Sequence, residues 1–95
     1  VFTDFFMFSG EERLPVKLRL DLLAYNLMIE EYPKSADFIV KETEKSWIFE
    51  AEMASYIGIS RFVLGLFGHI EVIESPAFYD YLKKEIQMMS EKAGL

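Results

Sequence analysis

Seven residues, Val16-Lys17-Leu18-Arg19-Leu20-Asp21-Leu22, alternate strictly between apolar and polar. That period of two predicts a strand with one buried and one wet face. Pro15 suits the entrance of such a strand and not its middle. From Ala24 to Tyr32 the residues Leu27, Met28 and Tyr32 recur at helical spacing, and Pro33 stops the helix. Lys34-Ser35-Ala36-Asp37 reads as a turn. Phe38 to Thr43 predicts a second strand, with Phe38 and Val40 on one face and Ile39, Lys41 and Thr43 on the other. Glu44-Lys45-Ser46 is a tight polar connection. Beyond it Trp47, Phe49, Ala51 and Met53 alternate with Ile48, Glu50 and Glu52, so the two runs predict a hairpin.

Ile59, Phe62, Val63, Leu66 and Phe67 fall on one stripe of a short helix, with Gly68 at its left-handed cap. Ile70 and Val72 alternate with His69 and Glu71 in a fourth strand. Ser75-Pro76 predicts a hydroxyl cap and a first-turn proline. The last helix then runs to about Ala93, with Phe78, Leu82, Ile86 and Met89 inward and Gly94 ending it. The order is strand, helix, strand, strand, helix, strand, then a terminal helix. Two right-handed crossovers put both helices on one face of a four-stranded antiparallel sheet. This is the ferredoxin-like βαββαβ plan, an α+β fold. The wet positions on every strand suit a sheet covered on one side only.

Composition narrows the function classes. With 95 residues the chain holds one small core. Fifteen aromatics are too many for a solvated acidic coil. No run of about 18 apolar residues exists, so no membrane span is expected. The absence of cysteine removes disulfides and thiolate metal sites, and fits a reducing, cytoplasmic setting. The net charge of -6 argues against direct binding to nucleic acid.

Catalytic chemistry is not visible in the pattern. His69, the single histidine, reads as an exposed sheet residue beside Glu71. The carboxylate pairs Glu50/Glu52 and Glu30/Glu31 lack the Asp/Asn-rich loop of a calcium site. Gly65-Leu66-Phe67-Gly68 has no basic partner to clamp phosphate. Residues 23–28 lack the glycine and arginine of an acylphosphatase anion loop. Trp47 and Phe49 share a face with Ala51 and Met53, which favours core over a base-stacking platform. No catalytic group, metal site or cofactor is therefore expected. The wet face is the candidate contact surface for a ligand or partner, through Lys17, Arg19, Lys41, Ile48 and Glu50. Ile39, Ile73, Asp21, Thr43 and Glu52 are expected there too, with Lys17 and Arg19 paired across to Glu50 and Glu52.

The chain starts at Val1, and Phe2, Phe5, Phe6 and Phe8 crowd its first eight residues. Residues 1–14 are expected to be an aromatic stub from a preceding domain, and 15–95 a single ferredoxin-like domain. The four phenylalanines are the candidate interdomain or dimer contacts.

The stretch Phe62-Val63-Leu64-Gly65-Leu66-Phe67-Gly68-His69-Ile70-Glu71-Val72-Ile73-Glu74-Ser75-Pro76 resembles the end of WYL-domain transcriptional regulators. There a short apolar helix, a glycine, an alternating strand, a proline and a final helix form the C-terminal extension. The strand from Val16 and the start Phe5-Phe6-Met7-Phe8-Ser9-Gly10 are similar to that family's upstream strand and aromatic bridge. The resemblance implies a bacterial, cytoplasmic regulator. A winged helix-turn-helix would bind DNA, a WYL barrel would sense a small effector, and this part would serve dimer contacts and coupling. Its partners would be a second copy or the WYL domain of the same chain, with DNA reached only through the helix-turn-helix. This chain contains neither the helix-turn-helix nor the Trp-Tyr-Leu signature. The alternative is a free-standing ligand-binding or assembly module of ferredoxin-like fold. Fully burying each phenylalanine is worth about 1.5–3 kcal/mol. Self-association through the Phe-rich start or the open sheet face is accordingly expected, and sedimentation at high micromolar concentration with and without residues 1–9 tests it. Monomers in both cases would contradict it.

Overall fold

The alternating segment becomes strand β3, Leu14–Leu20, at the centre of the molecule. Val16, Leu18 and Leu20 are fully buried, and between them Lys17 and Arg19 point to the opposite face. In the computed structural model, which describes residues 1–94, β3 lies between two antiparallel neighbours. One is β5, Ser46–Met53, in the register Val16↔Ala51, Leu18↔Phe49 and Leu20↔Trp47. The other is the short β6, Ile70–Val72, with Leu18↔Val72. The fourth strand, β4, Ile39–Thr43, pairs with β5 as a hairpin. The sheet is antiparallel throughout, in the order β4-β5-β3-β6.

Three helices complete the α+β fold. Helix α1, Leu22–Glu31, starts at Asp21, whose side chain accepts from the Ala24 amide. Helix α2, Tyr56–Gly65, is capped by the Ser55 hydroxyl. Helix α3, Pro76–Ala93, ends on Gly94 in the left-handed conformation. Ala24 and Met28, Ile59, Phe62 and Val63, and Phe78 and Leu82 join Leu18, Phe49 and Met53 in one hydrophobic cluster. No helix among the described residues is long and apolar enough to cross a membrane.

Several local expectations change. Pro33 opens a 3₁₀ turn, Pro33–Phe38, which takes up Phe38, so β4 begins only at Ile39. Ile39 stands opposite Phe49, on the core face, and Val40 stands opposite Ile48, on the wet face. The expected assignment of β4 is thus inverted, because a slip of one residue exchanges the two faces of a strand. Helix α2 stops at Gly65, which leaves Phe67 81% exposed and Gly68 outside any cap. Ser75 does not cap α3 with its hydroxyl. Its oxygen accepts from the Lys17 amide at 2.7 Å, and the hydroxyl donates to the Ile73 carbonyl at 2.8 Å. That stitches the entry of α3 to the central strand. Ile86 and Met89 are each 51% exposed rather than inward, because only the first half of α3 lies over the core.

The N-terminal segment folds back on the same body. Two short strands, β1 (Phe2–Thr3) and β2 (Ser9–Gly10), pair in a tight hairpin. Asp4, only 5% exposed, holds it closed. Its Oδ1 accepts from the amides of Phe6 and Phe8 at 2.9 and 3.2 Å, and its Oδ2 accepts from the Ala54 amide at 2.9 Å. The turn needs a left-handed residue, and Met7 supplies it at φ 68°. Phe5 packs edge-on to Phe49, and Phe6 lies against Tyr32 and Gly58. Phe2 and Phe8 are also half-buried. Packing therefore runs continuously across residue 14, and part of each phenylalanine is covered by the chain itself.

Asp4→Ala removes three hydrogen bonds to a charged acceptor at a buried site. It is expected to cost about 2–4 kcal/mol in urea unfolding. A Cβ at Gly58 would come within 2.8 Å of the Phe6 ring. Gly58→Ala is expected to cost about 1–3 kcal/mol through overpacking. Unchanged stability in both variants would mean the hairpin is not held as described.

Candidate functional site: the open sheet face

Alternation in β3, β4 and β5 builds one uncovered face. Lys17 and Arg19 of β3, Val40 and Glu42 of β4, and Ile48 and Glu50 of β5 line a shallow groove there, closed by Ile73 and Glu74. Of the expected contact residues, the structure gathers Lys17, Arg19, Ile48 and Glu50 on this face. It does not bring Lys41 to them. Lys41 is opposite Trp47 and on the other side of β4, with its ammonium 5.9 Å from the indole ring. Trp47 in turn stacks on Tyr25 at 4.5 Å between centroids and an interplanar angle of 7°. The inverted register of β4 also takes Ile39 off the face and brings in Val40 and Glu42, while Thr43, beyond the bulge, stays opposite Ser46 with its hydroxyl 2.7 Å from that of Ser46.

The cations have different partners from those expected. Arg19 forms a fork with Glu42, Nε to Oε1 at 2.8 Å and Nη2 to Oε2 at 3.0 Å. Its Nη1 donates to Glu71 Oε2 at 2.6 Å. One guanidinium on the central strand thereby bridges both edge strands across the sheet. Its planar five-donor geometry makes this possible, and a lysine could not do the same. Lys17 pairs with Glu74. Glu52 is beside Arg13 at 4.0 Å, and Glu50 has no ion-pair partner among the described residues. The phase of β4, with Val40 opposite Ile48, explains the fork. Period two places Glu42 beside Val40 on the wet face, toward Arg19. The sequence pattern places Val40 on the dry face and Glu42 with it, so the Arg19 partner is not legible until the phase of β4 is known.

The Arg19–Glu42 and Lys17–Glu74 pairs perturb their own titration. The Arg19 guanidinium, aided by the Ser46 hydroxyl at 2.8 Å, holds the Glu42 carboxyl down at about 2. Lys17 holds Glu74 below the ordinary carboxylate range, and Glu74 raises Lys17. Glu74 reaches Lys17 from a left-handed backbone, φ 46°, that non-glycine residues adopt at a cost.

His69 is in the turn before β6, not in the strand. Its Nδ1 is 2.6 Å from Asp21 Oδ2, while the Asp21 amide donates to the His69 carbonyl at 3.1 Å. Partial burial of Asp21 opposes ionisation, but the Ala24 amide and His69 outweigh it and lower the carboxyl. Asp21 thus joins the start of α1 to the start of β6, and its oxygens are committed to that structural role. Among the described residues no group of three or more metal-ligating side chains converges.

No family model matches the chain, and neither a curated protein nor a solved structure matches it.

Because the folded value for Glu42 lies below the unfolded 4.5, its pairing with Arg19 stabilises the fold above about pH 4.5. That contribution is lost as pH falls through about 2. Carboxyl NMR titration is expected to give a Glu42 midpoint near 2, returning toward 4.5 in Arg19→Gln. A Glu42 midpoint unaffected by Arg19→Gln would contradict the fork.

Proposed function

We propose that this chain is the non-catalytic C-terminal regulatory and dimerisation module of a WYL-type transcriptional regulator, built on the ferredoxin-like plan. Its open sheet face serves as the contact surface. The fold part of the reading rests on the order of elements, β3-α1-β4-β5-α2-β6, with a hairpin between two strand–helix units and sheet order β4-β5-β3-β6. The functional part rests on one observation. Arg19 links both edges of an uncovered sheet through Glu42 and Glu71, so a contact on that face acts on β4, β3 and β6 together. Coupling requires an element that two sites bias differently, and such a network is a suitable one. The acidic balance suits a part that leaves DNA to a helix-turn-helix elsewhere in the regulator.

Two measurements test this. Sequencing the gene upstream of the Val1 codon is expected to give an in-frame winged helix-turn-helix and WYL barrel. A start codon a few residues before Val1 supports the free-standing assembly module instead. In the full-length regulator Arg19→Gln is expected to change operator affinity by about tenfold at fixed salt, within the usual range of coupling energies. The same affinity in both proteins would remove the coupling role from this face.

A further inference from the structure

The N-terminal hairpin and the 3₁₀ turn enclose a concavity of their own. It measures about 520 Å³, a size that small ligands occupy, and it shares no lining residue with the groove on the open sheet face. Much of its wall is aromatic. Phe2 and Phe5 come from the hairpin segment, and Phe38 comes from the end of the turn. Phe5 and Phe38 are stacked, with 5.9 Å between centroids and 22° between planes. The turn that takes Phe38 out of β4 is what brings it to Phe5. Phe38 stays 43% exposed, so packing within the chain does not use up its ring.

The charges around these rings do not balance. Asp4, Asp37 and Glu52 stand against the single ammonium of Lys34. Glu52 has Arg13 at 4.0 Å, but neither Asp4, Asp37 nor Lys34 has an ion-pair partner among the described residues. Asp4 is only 5% exposed, and its hydrogen bonds come from three backbone amides. Amides satisfy carboxylate oxygens without bringing a positive charge, and a buried charge is costly until it is paired. Arg13 shows on the chain itself what this composition attracts. Its guanidinium lies 4.3 Å from the centroid of the Phe2 ring, with Glu52 beside it. Arg13 is not part of the pocket lining, so its charge does not fill the pocket.

We propose that this pocket binds a small organic cation with a methylated ammonium headgroup. A metal ion needs converging ligands, and no group of three or more metal-ligating side chains converges among the described residues. A primary ammonium or a guanidinium carries several donors that need acceptors, and both oxygens of Asp4 already accept from amides. A methylated ammonium is instead held by aromatic faces and by negative charge nearby, and the pocket supplies both. The site does not rest on the regulator reading, which the upstream gene sequence decides separately.

Titration of the whole chain, followed by amide NMR at constant ionic strength, tests this with tetramethylammonium and with uncharged tert-butanol of similar size. Tetramethylammonium is expected to move the amides of Phe5, Asp37 and Phe38 in a saturable way. It is expected to bind at least about tenfold more tightly than tert-butanol. Phe38→Leu, which removes a ring, and Asp37→Asn, which removes an exposed charge, are each expected to weaken it at least about threefold. Asp4 is left intact because it holds the hairpin closed. Thermal melting like that of the parent chain shows that a variant folds, and Asp37→Asn alone decides if Phe38→Leu does not. Equal affinity for tert-butanol would make the site merely apolar and overturn the proposal. Calcium chloride saturating the same amides equally well would make it an acidic cluster and overturn it too. So would unchanged affinity in the folded variants, or no shift of these amides up to about 50 mM tetramethylammonium.

Discussion

The alternation of β3 is the constraint on which the rest of the molecule depends. Val16, Leu18 and Leu20 must be dry and Lys17 and Arg19 must be wet, and β3, like β5, has a neighbour on each side. A shift of one residue would bury two cations and expose three aliphatic side chains, so the register of β5 and β6 against it is strongly specified. Each helix then contributes to the only dry face this strand offers. Its polar half becomes the spine of the open face, from which Arg19 reaches both edges.

The same strand explains where chain ends are tied. The Lys17 amide donates to the Ser75 hydroxyl and the Lys17 carbonyl accepts from Ile73, which anchors the entry of α3. Asp21, immediately beyond β3, caps α1 and holds His69 before β6. Crossing points between elements are thus handled by a few polar side chains next to the central strand. Away from it, Asp4 does the equivalent for the N-terminal hairpin through the backbone amide of Ala54. These are hydrogen bonds to a buried or half-buried acceptor, where an unmade partner costs more than a made one gains.

The open face differs from an ordinary solvated sheet in how its charges are arranged. Exposed ion pairs taken singly are worth little. Here Arg19 serves Glu42 and Glu71 at once, with Ser46 behind Glu42, so the pairing is a network and the Glu42 carboxyl is held low. Glu50, without an ion-pair partner among the described residues, and the apolar Val40 and Ile48 complete the face. At the other end of the molecule α3 runs past its cover with an apolar stripe of its own.

The alternating β3 and β5, the terminal helix with its proline start and glycine end, and the core residues Leu18, Phe49, Met53, Phe78 and Leu82 were legible from periodicity alone. So was the membership of Lys17, Arg19, Ile48 and Glu50 in one wet face, because period two needs no tertiary information once the strand is known. The face of β4 was not legible: a 3₁₀ turn consumed Phe38, the strand began one residue late, and Lys41 changed places with Val40 and Glu42. Nor were the cation partners, since Glu42, Glu71 and Glu74 reach the central strand through the phase of β4, the β6 pairing and a left-handed turn. The Phe-rich start looked like a free joint, and only the tertiary structure placed Asp4 under Ala54 and Phe6 over Gly58. Local pattern determined which side of each long strand is dry. Register, turn geometry and side-chain reach, which join residues up to 58 positions apart, decided what the wet side contains.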